Sequence, residues 1–238
     1  MKRFLQFAIC IFLLSPMAVA PAWAGEVIDG VVATVNHQPL LRSDWEEAIC
    51  FEAFMRQRPL SQVTETDRVT ALERLIDRQL LKAQMGHLQY MQPSEAALQQ
   101  DLARLRDQVP NGKDEASWQK LLASYGLNQD SLKQHLRTEF QVMNFVEVRL
   151  RPTVHIQAED VQAYYNKQLL PDLQQTGAKV LPLEEVEPKI RELLTQQRMD
   201  ELLEVWLHNL RQQAEIYSTV SIPGVNAPAN PAQVSGSH

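Results

Sequence analysis

The chain has 238 residues, with 23 Lys+Arg against 29 Asp+Glu, 45% hydrophobic residues and two cysteines. That length supports a sizeable core, and the composition excludes a collagen, a disulfide scaffold and a disordered polyampholyte. A net charge of −6, with no basic cluster beyond Lys2-Arg3, argues against a nucleic-acid partner, because phosphate binding needs a clustered positive footprint.

The first 24 residues read as a cleavable secretory signal. Lys2-Arg3 is followed by the apolar run Phe4 to Leu14 and by Ala22-Trp23-Ala24, which places the cut between Ala24 and Gly25. No later run approaches a membrane span, so stable membrane insertion is not expected. Without Lys2 and Arg3 the mature chain holds 21 cations against 29 acids, a net charge of −8. Cys10 leaves with the signal. Cys50, the remaining thiol, has no partner for a bridge and reads as a half-buried small hydrophobe.

Val27 to Leu41 reads as a hairpin, with β-branched residues on both sides of an Asn36-His37-Gln38-Pro39 turn. Ser43, with Glu46 three residues on, predicts a capping box at the start of a helix. A second helix spans about Asp67 to Met85 and stops at Gly86. Pro93 suits the first turn of a third, which ends near Pro110. Glu115 to Tyr125 is a short helix stopped by Gly126, and Asn128 opens a long one to Leu150, ended by Pro152. A sixth helix covers Ala158 to about Leu169. The last begins near Glu185, with Pro188 in its first turn, and reaches Ala214. Ile216 to Ile222 alternates as a closing strand, and residues 223–238 form a tail of Pro, Ala, Asn, Gly and Ser. The hairpin and the closing strand are each too short to stand alone, which predicts that they pair.

Helical phase assigns core stripes to Val69, Leu72, Leu75, Ile76, Leu80 and Ala83, and to Leu132, Leu136, Phe140, Met143, Val146 and Leu150. On the first helix Trp45, Ala48, Ile49, Phe51 and Met55 share a face, with Cys50 and Phe54 opposite. Phe145 and Val148 lie off the stripe of the long helix. In the last helix Val186, Ile190 and Leu193 define one side, and Met199, Leu202, Leu203, Trp206 and Leu210 the other, so it must meet two neighbours or bend. Large apolar residues on second faces either pack elsewhere in the chain or serve a partner. Cys50, Phe54, Phe145, Val148, Met199 and Trp206 are therefore the candidate partner-contacting residues, with Phe54, Phe145 and Trp206 expected to border a partly exposed apolar cleft.

The sequence holds no catalytic constellation. The six histidines form no HxxxH or HExxH spacing and no cluster with cysteine, so neither a metal nor another cofactor is expected. The acidic pairs Glu46-Glu47, Glu159-Asp160 and Glu184-Glu185 sit near helix N-termini, where the helix dipole accounts for them.

Five stretches carry a resemblance. Val31, Ala33, Val35 and Asn36, followed by Leu41, Ser43 and Asp44, resemble the opening of SurA-type periplasmic chaperones. Leu72 to Leu81, Tyr125-Gly126-Leu127 with Leu132 and Leu136, Val161 with Ala163-Tyr164-Tyr165, and Leu183 to Val186 through Trp206-Leu207 to Ile216 are similar to later segments of that family, in order. The resemblance implies a mainly α, multi-helical SurA/trigger-factor-like peptide-binding domain over residues 25–222, with a small β element made by the N-terminal hairpin and the C-terminal strand. It also implies a periplasmic, ATP-independent holdase for unfolded exported or outer-membrane polypeptides. Family members usually carry parvulin isomerase domains before the terminal helix. Here only 16 residues, Lys167 to Pro182, fill that interval, and a domain needs at least about 50. Isomerase activity is therefore not carried over. An adaptor docking on one folded envelope protein and a prolyl isomerase with an unrecognised site stand as alternatives, and a second copy of the chain is a further candidate partner.

Overall fold

A computed structural model describes residues 29–86 and 92–222. The signal segment, the hairpin residues Val27 and Ile28, His87 and the 223–238 tail lie outside the described residues.

Strand β1 (Val31–Val35) pairs antiparallel with β2 (Gln38–Leu41). The turn between them is Asn36-His37 alone, both residues with positive φ (49° and 66°), as a tight two-residue hairpin requires. Gln38 and Pro39, predicted in the turn, belong to β2 instead. Pro39 is tolerated because β2 is the edge of a three-stranded sheet ordered β2-β1-β3. As predicted, the closing strand joins the hairpin: β3 (Ile216–Ser218) pairs with β1, and the Thr219 backbone N–H donates to the Val32 carbonyl at 2.9 Å. The strand is shorter than Ile216–Ile222, although Ile222 is buried in the core beneath the sheet.

Helix α1 (Arg42–Met55) begins one residue before the predicted Ser43 cap. Asp44, not Glu46, turns back to accept the Leu41 N–H at 3.2 Å, while Ser43 bonds to the Asp29 carboxylate. Helix α2 (Glu65–Met85) starts earlier than predicted because Thr64 and Asp67 cap each other. Arg58 and Thr64, bonded to the Asp67 carboxylate, hold its pKa far below the usual range. Helix α3 (Glu95–Gln108) is capped by Ser94, which leaves Pro93 just outside it. Helix α4 (Glu115–Ser124) is capped by Asp114 and followed by Gly126 at φ +69°. Helix α5 (Gln129–Leu150) is capped by Asn128.

Helix α6 (Ala158–Tyr164) does not stop near Leu169. A π-helical turn, Tyr165–Leu169, carries it into α7 (Leu170–Thr176), which ends at Gly177. Pro171 has no N–H to give and its ring crowds the carbonyl four residues back, and the wider π turn accommodates both. Helix α8 (Leu183–Gln213) is 31 residues long and starts ahead of the predicted Glu185, so Pro188 lies inside it.

Four apolar clusters hold these elements. The first joins the sheet to Trp45, Ala48 and Ile49 of α1 and to Leu72, Leu75, Ile76 and Leu80 of α2. The second joins Phe51, Ala53 and Phe54 of α1 to α3, α4 and the start of α5. The third links the ends of α2 and α5 to Met199 on α8, and the fourth packs α6 on Val186 and Ile190. Helix α8 thus meets two neighbours with two faces, as its sequence predicts. The stripes are less regular than predicted. Ala83, Met143 and Leu193 are exposed, and Phe145 takes the buried place that periodicity gives to Met143.

Candidate functional site

Helix α1 is apolar on more than one side because it stands between two clusters. Trp45 anchors its first turns, its indole N–H donating to the Arg68 carbonyl at 2.8 Å. At its other end Phe54 is 3% exposed and meets Trp118 and Tyr125 edge-on, with ring centroids 5.9 and 5.6 Å away. The prediction that Phe54 lies opposite the packed face is corrected: its face is packed, against α4. Cys50 is half-buried beside the same cluster, and burial, with Glu46 adding to it, pushes its thiol pKa up.

Above this aromatic group lies an open groove of about 490 Å³. It is lined by Phe54 and Gln57 from the end of α1, by the lip Val109-Pro110-Asn111 that follows α3, and by Ser117, Lys120, Leu121 and Ser124 of α4 with Tyr125. The lip is held in place from behind. The Arg106 guanidinium donates to the Gly112 carbonyl at 2.7 Å and to Glu115 at 2.9 Å, and it lies over the Trp118 ring, 5.3 Å from its centroid. Gly112 approaches so closely that a Cβ there would sit 2.1 Å from the Arg106 carbonyl oxygen.

A second concavity of about 420 Å³ lies between α1, α2, α5 and α8. Its apolar lining includes Phe51, Leu75, Leu81, Val142, Leu203 and Leu207. Its charges are neutralised in pairs across helices: Arg74 with Glu52, Arg78 with Glu139, and Arg211 with Asp77 at 2.6 Å. Beside it, His135 stacks on Phe51 with ring centroids 4.6 Å apart. Its Nε2 is 3.1 Å from the Glu47 carboxylate but at an angle that makes no hydrogen bond. Desolvation lowers the imidazole pKa in spite of Glu47.

The six candidate residues do not share one surface. Phe54 and Cys50 belong to the α1–α4 cluster, with Phe54 under the groove. Trp206 is half-buried on the third cluster, which contains the buried Met199, and it packs on the buried Phe145 with centroids 5.8 Å apart under the Arg149 guanidinium. Val148 stands exposed by itself. Sequence reasoning missed Leu121 and Tyr125. Leu121 carries the same signal as the six, a large apolar residue beside the stripe formed by Trp118, Leu122 and Tyr125.

Among the described residues no group of three or more His, Cys, Asp or Glu side chains is placed to hold a metal, and no helix is long and apolar enough to cross a membrane. No curated protein matches the chain. The sequence does match the SurA-like N-terminal domain over residues 1–146, a span that ends within α5 and takes in both β1–β2 and the groove. The chain therefore belongs to the SurA-like N-terminal domain family.

Proposed function

We propose that this protein is an ATP-independent chaperone that holds unfolded exported polypeptides, outer-membrane proteins among them, in the periplasm. Family membership supports a chaperone-type, peptide-binding role. The observation that carries the reading is the groove over Phe54, an open concavity whose apolar lining of Phe54, Val109, Pro110, Leu121 and Tyr125 adjoins the α1–α4 aromatic cluster. Such a surface takes apolar side chains of many sequences, because burial of area is non-directional. The concavity between α1, α2, α5 and α8 offers a second contact of the same kind. Of the six candidate residues Phe54 lines the groove and Cys50 packs in the cluster behind it. Met199 and Trp206, with Phe145 against Trp206, belong to the cluster that shares Leu203 and Leu207 with the second concavity, and Val148 is exposed. The acidic net charge keeps such a protein soluble while apolar area is open.

The test is suppression of aggregation of several unrelated unfolded polypeptides, without nucleotide, by the mature chain. Protection of several clients is the expected result. No protection at tenfold molar excess would refute the reading, and binding to a single folded protein would favour an adaptor. Prolyl isomerisation is not expected. The interval from Lys167 to Pro182 is filled by the π turn, α7 and a short connection into α8. Uncatalysed exchange takes tens to hundreds of seconds, so a proline-limited refolding assay would expose any catalysis.

A further inference from the structure

Lys120 distinguishes the groove over Phe54 from the other apolar concavity. Neighbouring cations are paired: Arg106 with Glu115 at 2.9 Å, Lys113 with Asp107 at 3.2 Å, and Lys133 with Glu95 at 3.1 Å. Among the described residues Lys120 makes no ion pair and is the only charged side chain that lines the groove. The remaining polar lining, Gln57, Asn111, Ser117 and Ser124, is neutral. Ser117, Lys120, Leu121 and Ser124 fall three and four residues apart, so one face of α4 presents an ammonium beside an apolar wall. An unpaired cation next to low-dielectric surface attracts an anion more strongly than the same cation in open water.

We propose that the groove selects a large apolar side chain lying next to a side-chain carboxylate in an extended, unfolded polypeptide. The apolar group lies against Phe54, Leu121 and Tyr125, and the Asp or Glu beside it pairs with the Lys120 ammonium. This rests on the reading of the groove as a client-binding surface. It makes a sharp prediction because the mature chain, with 21 cations against 29 acids, repels acidic clients at long range. A preference for acid can therefore come only from a local contact.

The experiment uses two peptides capped at both ends, so that no terminal carboxylate takes part. They share the same aromatic and aliphatic residues, flanked by Asp in one and by Lys in the other, and both carry a neutral dye. Binding to the mature chain is followed by fluorescence anisotropy for the native sequence and for Lys120→Gln and Lys120→Glu. Lys120 is exposed, so neither change endangers the fold. The Asp peptide should bind about two- to fivefold more tightly, the range of a solvent-exposed ion pair. Lys120→Gln should abolish the preference for the Asp peptide, and Lys120→Glu should make the Lys peptide the tighter binder. Equal binding by the native chain, tighter binding of the Lys peptide, no binding of either, or a preference surviving Lys120→Glu would each overturn the proposal. Aggregation suppression measured on the same samples separates the two levels. Suppression without acid preference removes the selectivity alone, and absence of both removes the chaperone reading as well.

Discussion

Replacing Phe54 with alanine should lower the unfolding free energy by about 3–5 kcal/mol, the range for emptying a buried aromatic site. The structure supports that magnitude from its parts. Phe54 is 3% exposed, so truncation forfeits most of the transfer free energy of the ring, about 1.5–3 kcal/mol. It also removes two edge-on aromatic contacts, with Trp118 at 5.9 Å and Tyr125 at 5.6 Å, each contributing about 0.5–1.5 kcal/mol beyond area. The adjoining groove lets water enter the vacated space, which should place the result in the lower half of the range. Against a total stability of about 5–15 kcal/mol this is a large fraction, and it corresponds to a fall in Tm of about 6–20 °C for a chain of this size. Urea unfolding followed by circular dichroism and by tryptophan fluorescence measures it, with Phe54→Leu as the volume-sparing comparison. A loss below about 1 kcal/mol at unchanged denaturant slope would show that Phe54 is not packed as described.

The same logic separates the other candidate residues. Trp206→Ala should destabilise by about 1–3 kcal/mol, since the ring is half-buried on Phe145 and carries Arg149 over its face, whereas Val148→Ser should stay within about 0.5 kcal/mol in the same urea titration. Gly112→Ala should cost about 1–3 kcal/mol and loosen the groove lip, read as weaker peptide binding, because its Cβ collides with the Arg106 carbonyl. His135 binds its proton less readily folded than unfolded, so stability should fall as pH drops below the ordinary imidazole value of 6.5 and level off once the lower folded value is passed. Its contribution cannot exceed about 1.4 kcal/mol per pH unit, and a His135→Gln variant with an unchanged pH profile would refute the assignment. Arg211→Met removes the tie from α8 to Asp77 and to the Glu73 carbonyl, and should lower the urea midpoint by the equivalent of about 1–3 kcal/mol.

The sequence by itself determined the helical elements, most of their ends, and the closure of the chain by β3 on the hairpin. These follow from local chemistry: caps such as Asn128, stops such as Gly86 and Gly126, and strands too short to stand alone. It also showed that α8 must meet two neighbours, because its apolar face changes side. Tertiary structure alone decided where the second apolar faces go. Phase along one helix reports that Phe54 is out of register with Trp45, but not that α4 has arrived to cover it. Likewise, periodicity gave a core place to Met143 and denied one to Phe145, and the outcome was reversed by Trp206, 61 residues further along the chain. The groove, and a Lys120 that makes no ion pair among the described residues, belong to the same class of fact. An ion pair's absence depends on which side chains from distant segments come within reach, and burial depends on area covered by residues that share no local pattern with the one they cover.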